Sequence, residues 1–433
     1  MRTRLSPGPY VFGRNFAVLT LLYDFALFCY ALLLRLAAPF VPKAAAWVAG
    51  RRGLLARIGA ALAADGAPRV WFHCASLGEF EQGRPLLEAH RRAHPGTKIV
   101  LTFFSPSGYA VRKDWPGADY VFYLPLDTRA HARAFLDAVR PRLAVFVKYE
   151  FWYHFLAEAR RHGVPAVVVS AIFRPEQVFF KPWGGFFRGT LGLLSHIFTQ
   201  NEASAALLRR HGLARVSVAG DTRFDTVVAT ALAPPRPLPL VEAFVADGAP
   251  VLVVGSSWPE DLPALAPLLR RHAGRIRVLL APHEITESHL QQIEAILPGQ
   301  VLRYSRAQRA TAAGARLLLF DNVGLLSQLY RFGRFAYVGG AFGKGLHNTL
   351  EAAAFGLPLF FGPNFARFQE AVDLVALGCA TPVGTAAELE KGFARLLYDE
   401  TARLKMQDLA LEYVHQQAGA TARIMRELKI INQ

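Results

Sequence analysis

Cysteine is scarce in this chain: Cys29, Cys74 and Cys379 are the three in 433 residues. They have no metal-ligand spacing and form no disulfide framework, so the sequence predicts a reduced, cytoplasm-facing protein with neither metal nor cofactor. Acidic residues are also short, 33 against 49 lysines and arginines, which leaves a formal charge of +16. That imbalance asks for an anionic partner: nucleic acid, an anionic membrane or a phosphorylated substrate. The basic residues are scattered, as in Arg91-Arg92, Arg160-Arg161, Arg209-Arg210 and Arg270-Arg271. They make no dense tail and no nucleic-acid signature, so membrane or phosphorylated substrate is favoured over nucleic acid. No GxSxG elbow occurs, which removes the common hydrolase arrangement. With 19% charged and 52% hydrophobic residues, general disorder is excluded and large buried cores are expected.

One long apolar run is present, Phe16 to Leu34, broken only by Asp24. As a helix it would reach about 28 Å, against about 30 Å for a hydrocarbon core. Asp24 near its middle would cost about 3 kcal/mol on insertion, so a shallow interfacial helix competes with a spanning one, and a buried helix is the third choice. Arg35 closes the run without a cleavage site. Arg35, Lys43, Arg51, Arg52 and Arg57 follow it, against Arg2, Arg4 and Arg14 before it. That bias predicts that the bulk of the chain stays on the cytoplasmic side of a membrane.

Beyond Asp65-Gly66, short apolar runs alternate with amphipathic stretches. Strands are expected at Arg69–Cys74, Lys98–Phe104, Tyr120–Leu124, Leu143–Lys148, Ala166–Ala171, His196–Thr199 and Val216–Ala219. Helices are expected at Glu81–Ala93, Ala130–Val139 and Phe155–His162. Unbroken Val/Ile/Leu/Phe runs indicate strands covered on both faces, hence parallel sheets. The stretch Ala231–Leu240, ALAPPRPLPL, is barred from helix interiors and central strands and reads as a linker. A second series follows at Val251–Gly255, Arg277–Ala281, Leu317–Phe320, Phe335–Gly339 and Pro358–Phe361. The expected class is α/β, GT-B type: two Rossmann-like domains with a cleft between them and an N-terminal hydrophobic membrane-anchor helix. The expected divisions are an anchor with a basic juxtamembrane segment (1–64), an acceptor-side domain (65–230), a linker (231–249) and a nucleotide-sugar domain with C-terminal helices (250–433). In such folds the ligand lies at the carboxyl ends of the strands.

Two such strand ends carry chemistry. In Val338-Gly-Gly-Ala-Phe-Gly-Lys-Gly-Leu-His-Asn-Thr-Leu-Glu351 a strand ends, glycines turn the chain, and a helix is expected near His347 or Asn348, ending at Gly356 and Pro358. Glycines allow close backbone approach, and free N–H groups at a helix start favour a phosphate. Asn348 and Glu351 would share a face, with the carboxylate placed for ribose hydroxyls; a plain capping box is the alternative. The second is His73-Cys-Ala-Ser-Leu-Gly-Glu79. Ser76 and Glu79 also have capping-box spacing, yet a glutamate at a strand's carboxyl edge can be a general base toward an acceptor hydroxyl.

Taken in order, HCASLGE, KYEFW, SAIFR, GDTRFD, APHE and HNTLE resemble the Kdo transferases of Gram-negative lipopolysaccharide synthesis. The resemblance runs over most of the chain. It implies transfer of 3-deoxy-D-manno-oct-2-ulosonate (Kdo) from CMP-Kdo to a lipid A precursor, with inversion and no obligatory metal. It implies Glu79 as catalytic base, with Glu150 and Arg223 stabilising the donor or transition state. It places CMP at Pro282, His283, Val323, Gly324 and the segment Asn348, Thr349, Leu350 and Glu351. The chain departs from the family pattern at His283-Glu284, where many relatives read Arg-His. It departs again at Lys148-Tyr149, where many read Glu-Thr, and at Leu325, where a carboxylate is common; Arg223 replaces a common lysine. Arg174 and Lys181 are candidates for the Kdo carboxylate or acceptor phosphates, with solvated surface as the alternative. Phe179, Phe180 and Trp183–Phe187 form an aromatic loop suited to lipid or to the N-terminal helix. Two other readings remain: a transferase or epimerase using a UDP-sugar, and a non-catalytic membrane-bound nucleotide-binding protein.

Overall fold

A computed structural model describes residues 14–431 apart from 313 and 344. Arg2 and Arg4, invoked for topology, and Lys344 of the glycine turn lie outside the described residues. The chain forms two compact units, Met1–Asp225 with Gly419–Gln433, and Thr226–Ala418.

The first unit holds a parallel sheet of β1 (Arg69–Cys74), β2 (Lys98–Phe103), β3 (Tyr120–Tyr123), β4 (Pro141–Val147), β5 (Ala166–Ala171), β6 (His196–Thr199) and β7 (Val216–Val218), in the order β3-β2-β1-β4-β5-β6-β7. The second holds β8 (Val251–Ser257), β9 (Arg277–Pro282), β10 (Val301–Arg303), β11 (Leu317–Leu319), β12 (Phe335–Val338), β13 (Leu359–Phe361) and β14 (Ala380–Pro382), in the order β10-β11-β9-β8-β12-β13-β14. Both are Rossmann-like, so the expected GT-B-type α/β class holds. Along β1, Val70, Phe72 and Cys74 enter one core while Trp71 enters the other. Covering both faces is why the run carries no polar alternation. The sequence reading passed over β10 and β14, edge strands of three residues each, too short to show a period.

Packing draws the divisions differently from the sequence. Leu54, Ile58 and Leu62, expected in a juxtamembrane segment, are buried with Trp71 and Phe135 in the first core. Pro239–Phe244, inside the expected linker, is a short helix with proline in its first turn, and it buries Val241 and Phe244. The last helix, Ala420–Ile431, belongs to the first unit. Ile424 and Leu428 enter the core around Phe72 and Leu87, and Asp225 accepts from the N–H groups of Gly419 and Thr421.

The helix Arg14–Ala37 contains the described chain's one stretch long and apolar enough to cross a membrane, Phe16–Ala37. Its polar residues turn inward: the Tyr23 hydroxyl donates to Asp127 at 2.6 Å and Asp24 meets His154 Nε2 at 2.6 Å. Asp127 is fully buried, also accepts from the N–H groups of His154 and Phe155, and has its carboxyl pushed up by that burial. Asp24 is therefore a docking residue of the first unit. Phe186 of the aromatic loop packs on Phe16 and Tyr23. On the outer side Leu21, Phe25, Leu33 and Leu36 stay 63–68% exposed.

Candidate active site

In both sheets the strand order reverses beside the first strand, between β1 and β4 and between β8 and β12. Connections leave in opposite directions there and open a crevice at the strands' carboxyl ends. The sequence-predicted carboxylates of the first unit sit at that point.

Ser76 caps the helix Leu77–Ala93, which begins earlier than its hydrophobic pattern suggested because Gly78 occupies its first turn. The Ser76 hydroxyl accepts from Gly78 N–H at 3.2 Å and donates to Glu79 Oε2 at 2.5 Å. The capping spacing is thus real, yet the cap spends its proton on orienting Glu79, which remains partly exposed. Gly108 holds the neighbouring loop close, since a Cβ there would meet Phe103 at 2.6 Å and the Ser76 backbone at 3.0 Å.

Beyond β4, Lys148 has a φ of 69°, an uncommon left-handed conformation for a lysine, and the chain turns there to present Glu150. Glu150 Oε2 accepts from Trp152 Nε1 at 2.7 Å and meets His73 Nε2 at 3.1 Å. His73 is fully buried, and its Nδ1 lies 3.2 Å from the Thr102 carbonyl and 2.9 Å from the Thr102 hydroxyl. A single ring proton serves both contacts when Nε2–H donates to Glu150 and Nδ1 accepts from the Thr102 hydroxyl. The Cys74 thiol is pushed up, first by burial and then by the negative field of Glu79, Glu150 and Glu81. One thiol thus senses both predicted acids, which the fold brings to the same end of β1 and β4.

The second unit's switch point is finished differently. Ser256, at the end of β8, is left-handed with φ 53°. Asp261 is fully buried and accepts from Trp258 N–H at 2.8 Å, Gly340 N–H at 3.0 Å and the Tyr337 hydroxyl at 2.9 Å. Burial pushes its carboxyl up. Gly339 is required, because a Cβ would lie 2.4 Å from the Ser256 carbonyl and 2.7 Å from Asp261. The Trp258, His283 and His347 rings stack, with centroids 4.5 Å apart for Trp258–His283 and 4.2 Å for His283–His347. Trp258 Nε1 donates to His347 Nε2 at 2.8 Å, which fixes His347 as the neutral Nδ1–H tautomer. Its pKa is lowered to about 4, first by burial and then by His283.

The glycine turn is more closed than its sequence suggests. The N–H groups of Gly339, Gly343, Gly345 and His347 go to the carbonyls of Gly255, Gly340, Gly340 and Gly339, and that of Gly340 goes to Asp261. The N–H groups of all four glycines, expected as free donors, are therefore spent within the protein. The expected helix from His347 or Asn348 is a single turn, Leu350–Ala353, to which the Thr349 side chain at the N-cap position gives no hydrogen bond. Asn348 Oδ1 accepts from Leu350 N–H at 3.2 Å and its Nδ2 donates to Glu351 at 3.1 Å, so the two predicted residues do meet. Tyr330 lies fully buried beneath, its hydroxyl 2.2 Å from where a Cβ on Gly255 would be, and its pKa is raised by burial and by Glu351.

Residues 51–226 match the family described as 3-deoxy-D-manno-octulosonic-acid transferase (kdotransferase). A 3-deoxy-D-manno-octulosonic acid transferase of Bordetella pertussis is 30% identical over 395 residues, covering 86% of this chain and 90% of the relative. This chain belongs to that family. A transferase of the same description from Chlamydophila psittaci is 30% identical over 320 residues, covering 72% and 73% of the two chains. Among solved structures, a putative UDP-N-acetylglucosamine 2-epimerase from Listeria monocytogenes has a TM-score of 0.60 at 14% identity, covering 84% of this chain and 96% of its own. At that identity the likeness is one of fold alone. The chain is a glycosyltransferase of the Kdo transferase family.

Against that family, the other predicted residues take these places. Pro282 ends β9 opposite Ser257, and His283 N–H donates to the Ser257 carbonyl at 2.9 Å. The histidine where many relatives read arginine is one ring of the stack with Trp258. Val323 is 84% exposed and Gly324 is left-handed, on the turn leading to Leu326, which approaches Gly255. Arg223 is bound to Asp221 by its Nε at 2.8 Å and a terminal nitrogen at 2.7 Å. Arg174 is exposed and near enough to Tyr149 to act on its hydroxyl electrostatically; Lys181 is half-buried, and its carbonyl holds Arg188. Sequence reasoning missed Trp152, Trp258 and Asp261 and gave His73 no role. Asp261 had a signal in the spacing of Trp258-Pro259-Glu260-Asp261 after a strand; the His73–Glu150 contact, across 77 residues, had none.

Proposed function

We propose that this chain transfers Kdo from CMP-Kdo to a hydroxyl of a lipid A precursor, lipid IVA, with inversion. The reading is carried by one observation: a member of this family presents Glu79 on a serine-capped helix start at the switch point of its first sheet. Glu79 takes the acceptor hydroxyl's proton, the oxygen attacks C2 of Kdo from the face opposite CMP, and the bond from C2 to the phosphate oxygen breaks. Glu150, held by Trp152 and His73, faces the developing positive charge on the sugar ring. Arg223 supplies cationic charge for the departing phosphate. With the N–H groups of the turn's four glycines engaged, CMP recognition falls to side chains: Asn348 and Glu351 toward the ribose, with Trp258 and His283 as an aromatic wall. Arg174 and Lys181 serve the anionic groups of Kdo or the acceptor. A UDP-sugar enzyme is the weaker reading, since it rests on shared fold.

The acceptor and the N-terminal helix support a location at the inner membrane, facing the cytoplasm. The helix lies along the surface: Tyr23 and Asp24 bind it to the first unit, and its apolar outer face, with the exposed Phe40 and Trp183, enters the lipid. The test is transfer of labelled Kdo from CMP-Kdo to a tetraacylated precursor in detergent. Product of the expected mass, abolished by Glu79→Gln with CMP binding retained, supports the assignment. A folded wild-type protein that yields no product overturns it.

A further inference from the structure

A cavity of about 560 Å³ lies in the first unit, lined by the end of the N-terminal helix, the helix Pro42–Arg51, the start of Leu54–Leu62 and the segment around Pro125. Its charged lining residues are Arg35, Arg51 and Arg52, joined by His131; no aspartate or glutamate lines it. Apolar side chains such as Ala31, Leu54 and Leu126 make up much of the remainder.

Arg51 is the unusual member. Its guanidinium carbon sits 4.0 Å over the Trp47 ring, 4.8 Å over Phe104 and 5.2 Å over Tyr123. Its terminal nitrogens reach only the carbonyls of Trp47 and Phe104, and its Nε is buried without a partner. Burial pulls its pKa down to about 9, and the groups that oppose this are Tyr123 and Tyr30, not carboxylates. Trp47 is only 7% exposed, and its indole Nε1 also lacks a partner. A half-buried guanidinium without an acid partner, with its Nε unpaired, and a buried indole N–H without an acceptor are costly in a fold unless an anion completes them. Gly50 keeps the helix close, since a Cβ there would strike the Tyr123 ring at 2.2 Å.

We propose that this cavity binds the phosphate ester of a bilayer lipid, with Arg51 and the Trp47 N–H at its base and Arg35 and Arg52 at its rim. The apolar lining receives the first carbons of the lipid. The volume suits a phosphorylated glycerol or sugar with chain stubs, and is large for inorganic phosphate. The membrane-surface reading supplies only the source of the lipid, and the test separates the two.

In solution, dihexanoylphosphatidic acid should saturate a fluorescence change that is absent in Trp47→Phe. Dihexanoylphosphatidylcholine and inorganic phosphate should each bind about 10-fold more weakly. Arg51→Met, which keeps the packing volume, and the surface pair Arg35→Gln/Arg52→Gln should each weaken phosphatidic acid binding about 10-fold. Inorganic phosphate binding as tightly as the lipid, or both variants binding like wild type, overturns the proposal. On vesicles, wild type should prefer phosphatidylglycerol-doped over pure phosphatidylcholine membranes about 10-fold, and the variants should lose that preference. Short-chain lipid binding without vesicle binding sinks the membrane reading and leaves the cavity; vesicle binding without short-chain binding does the reverse. Tighter binding to vesicles doped with the bisphosphorylated acceptor than to phosphatidylglycerol vesicles makes the acceptor the occupant.

Discussion

Both sheets are parallel and seven-stranded, and in each the switch point falls beside the first strand, yet the two are finished in opposite chemical ways. Beside β1 the chain presents carboxylates, Glu79 and Glu150, each steered by a donor: Ser76 for one, Trp152 and His73 for the other. Beside β8 the carboxylate, Asp261, is buried and spent on Trp258, Gly340 and Tyr337, and rings and glycines form the surface. An acid left partly exposed can accept a proton, whereas a buried one with three donors can only hold a turn. On the proposed mechanism, similar switch points serve proton transfer in one unit and ligand shape in the other.

The sharpest way to break this comparison is to remove the proposed base, Glu79. Glu79→Gln keeps the Ser76 hydrogen bond but not the basicity, and kcat should fall by about 10³-fold with CMP affinity within about twofold of wild type, as measured by single-turnover transfer and calorimetry. If CMP affinity falls with it, the division of labour between the units is wrong. Asp261→Ala should act the other way. It strands the buried N–H groups of Trp258 and Gly340, and should destabilise the second unit by about 3 kcal/mol while weakening CMP binding at least about 10-fold. Thermal melts with and without CMP check this.

Acid offers a third comparison. His347 has a folded pKa of about 4 against an ordinary value near 6.5, so the unfolded chain binds more protons between these limits. Stability is then full above about pH 6.5 and is lost as pH falls toward 4. His90 of the first unit is lowered to about 4 by burial and His94, so it contributes with the same sign there. His347→Asn should flatten the second unit's melting temperature over this window, and His90→Asn the first unit's. An unchanged slope in both variants would place the acid sensitivity elsewhere. The smallest effect belongs to Asn348→Ala, which removes the contacts to Leu350 and Glu351. A loss of about 1 kcal/mol in stability and a few-fold rise in KM for CMP-Kdo are expected.

Much of this was legible in the chain. Continuous runs such as Val251–Gly255 declared buried parallel strands, and Glu79, Asn348 and Glu351 stood out by their places at helix starts that follow such strands, although capping offered a structural reason for the same spacing. The closed state of the glycine turn was not legible, because it depends on Asp261, 79 residues from Gly340. Nor was Asp24, which read as a penalty in an apolar helix until His154, 130 residues away, paired with it.

The sequence alone determined the periodicity, the chain of strand ends and the excess of positive charge, because these depend on neighbours within a few residues. Tertiary structure alone decided which carboxylate stays partly exposed, which arginine packs among rings without an acid and which face of the first helix turns outward. Those properties are set by desolvation and by hydrogen-bond partners brought together from distant positions, and local pattern carries no record of either.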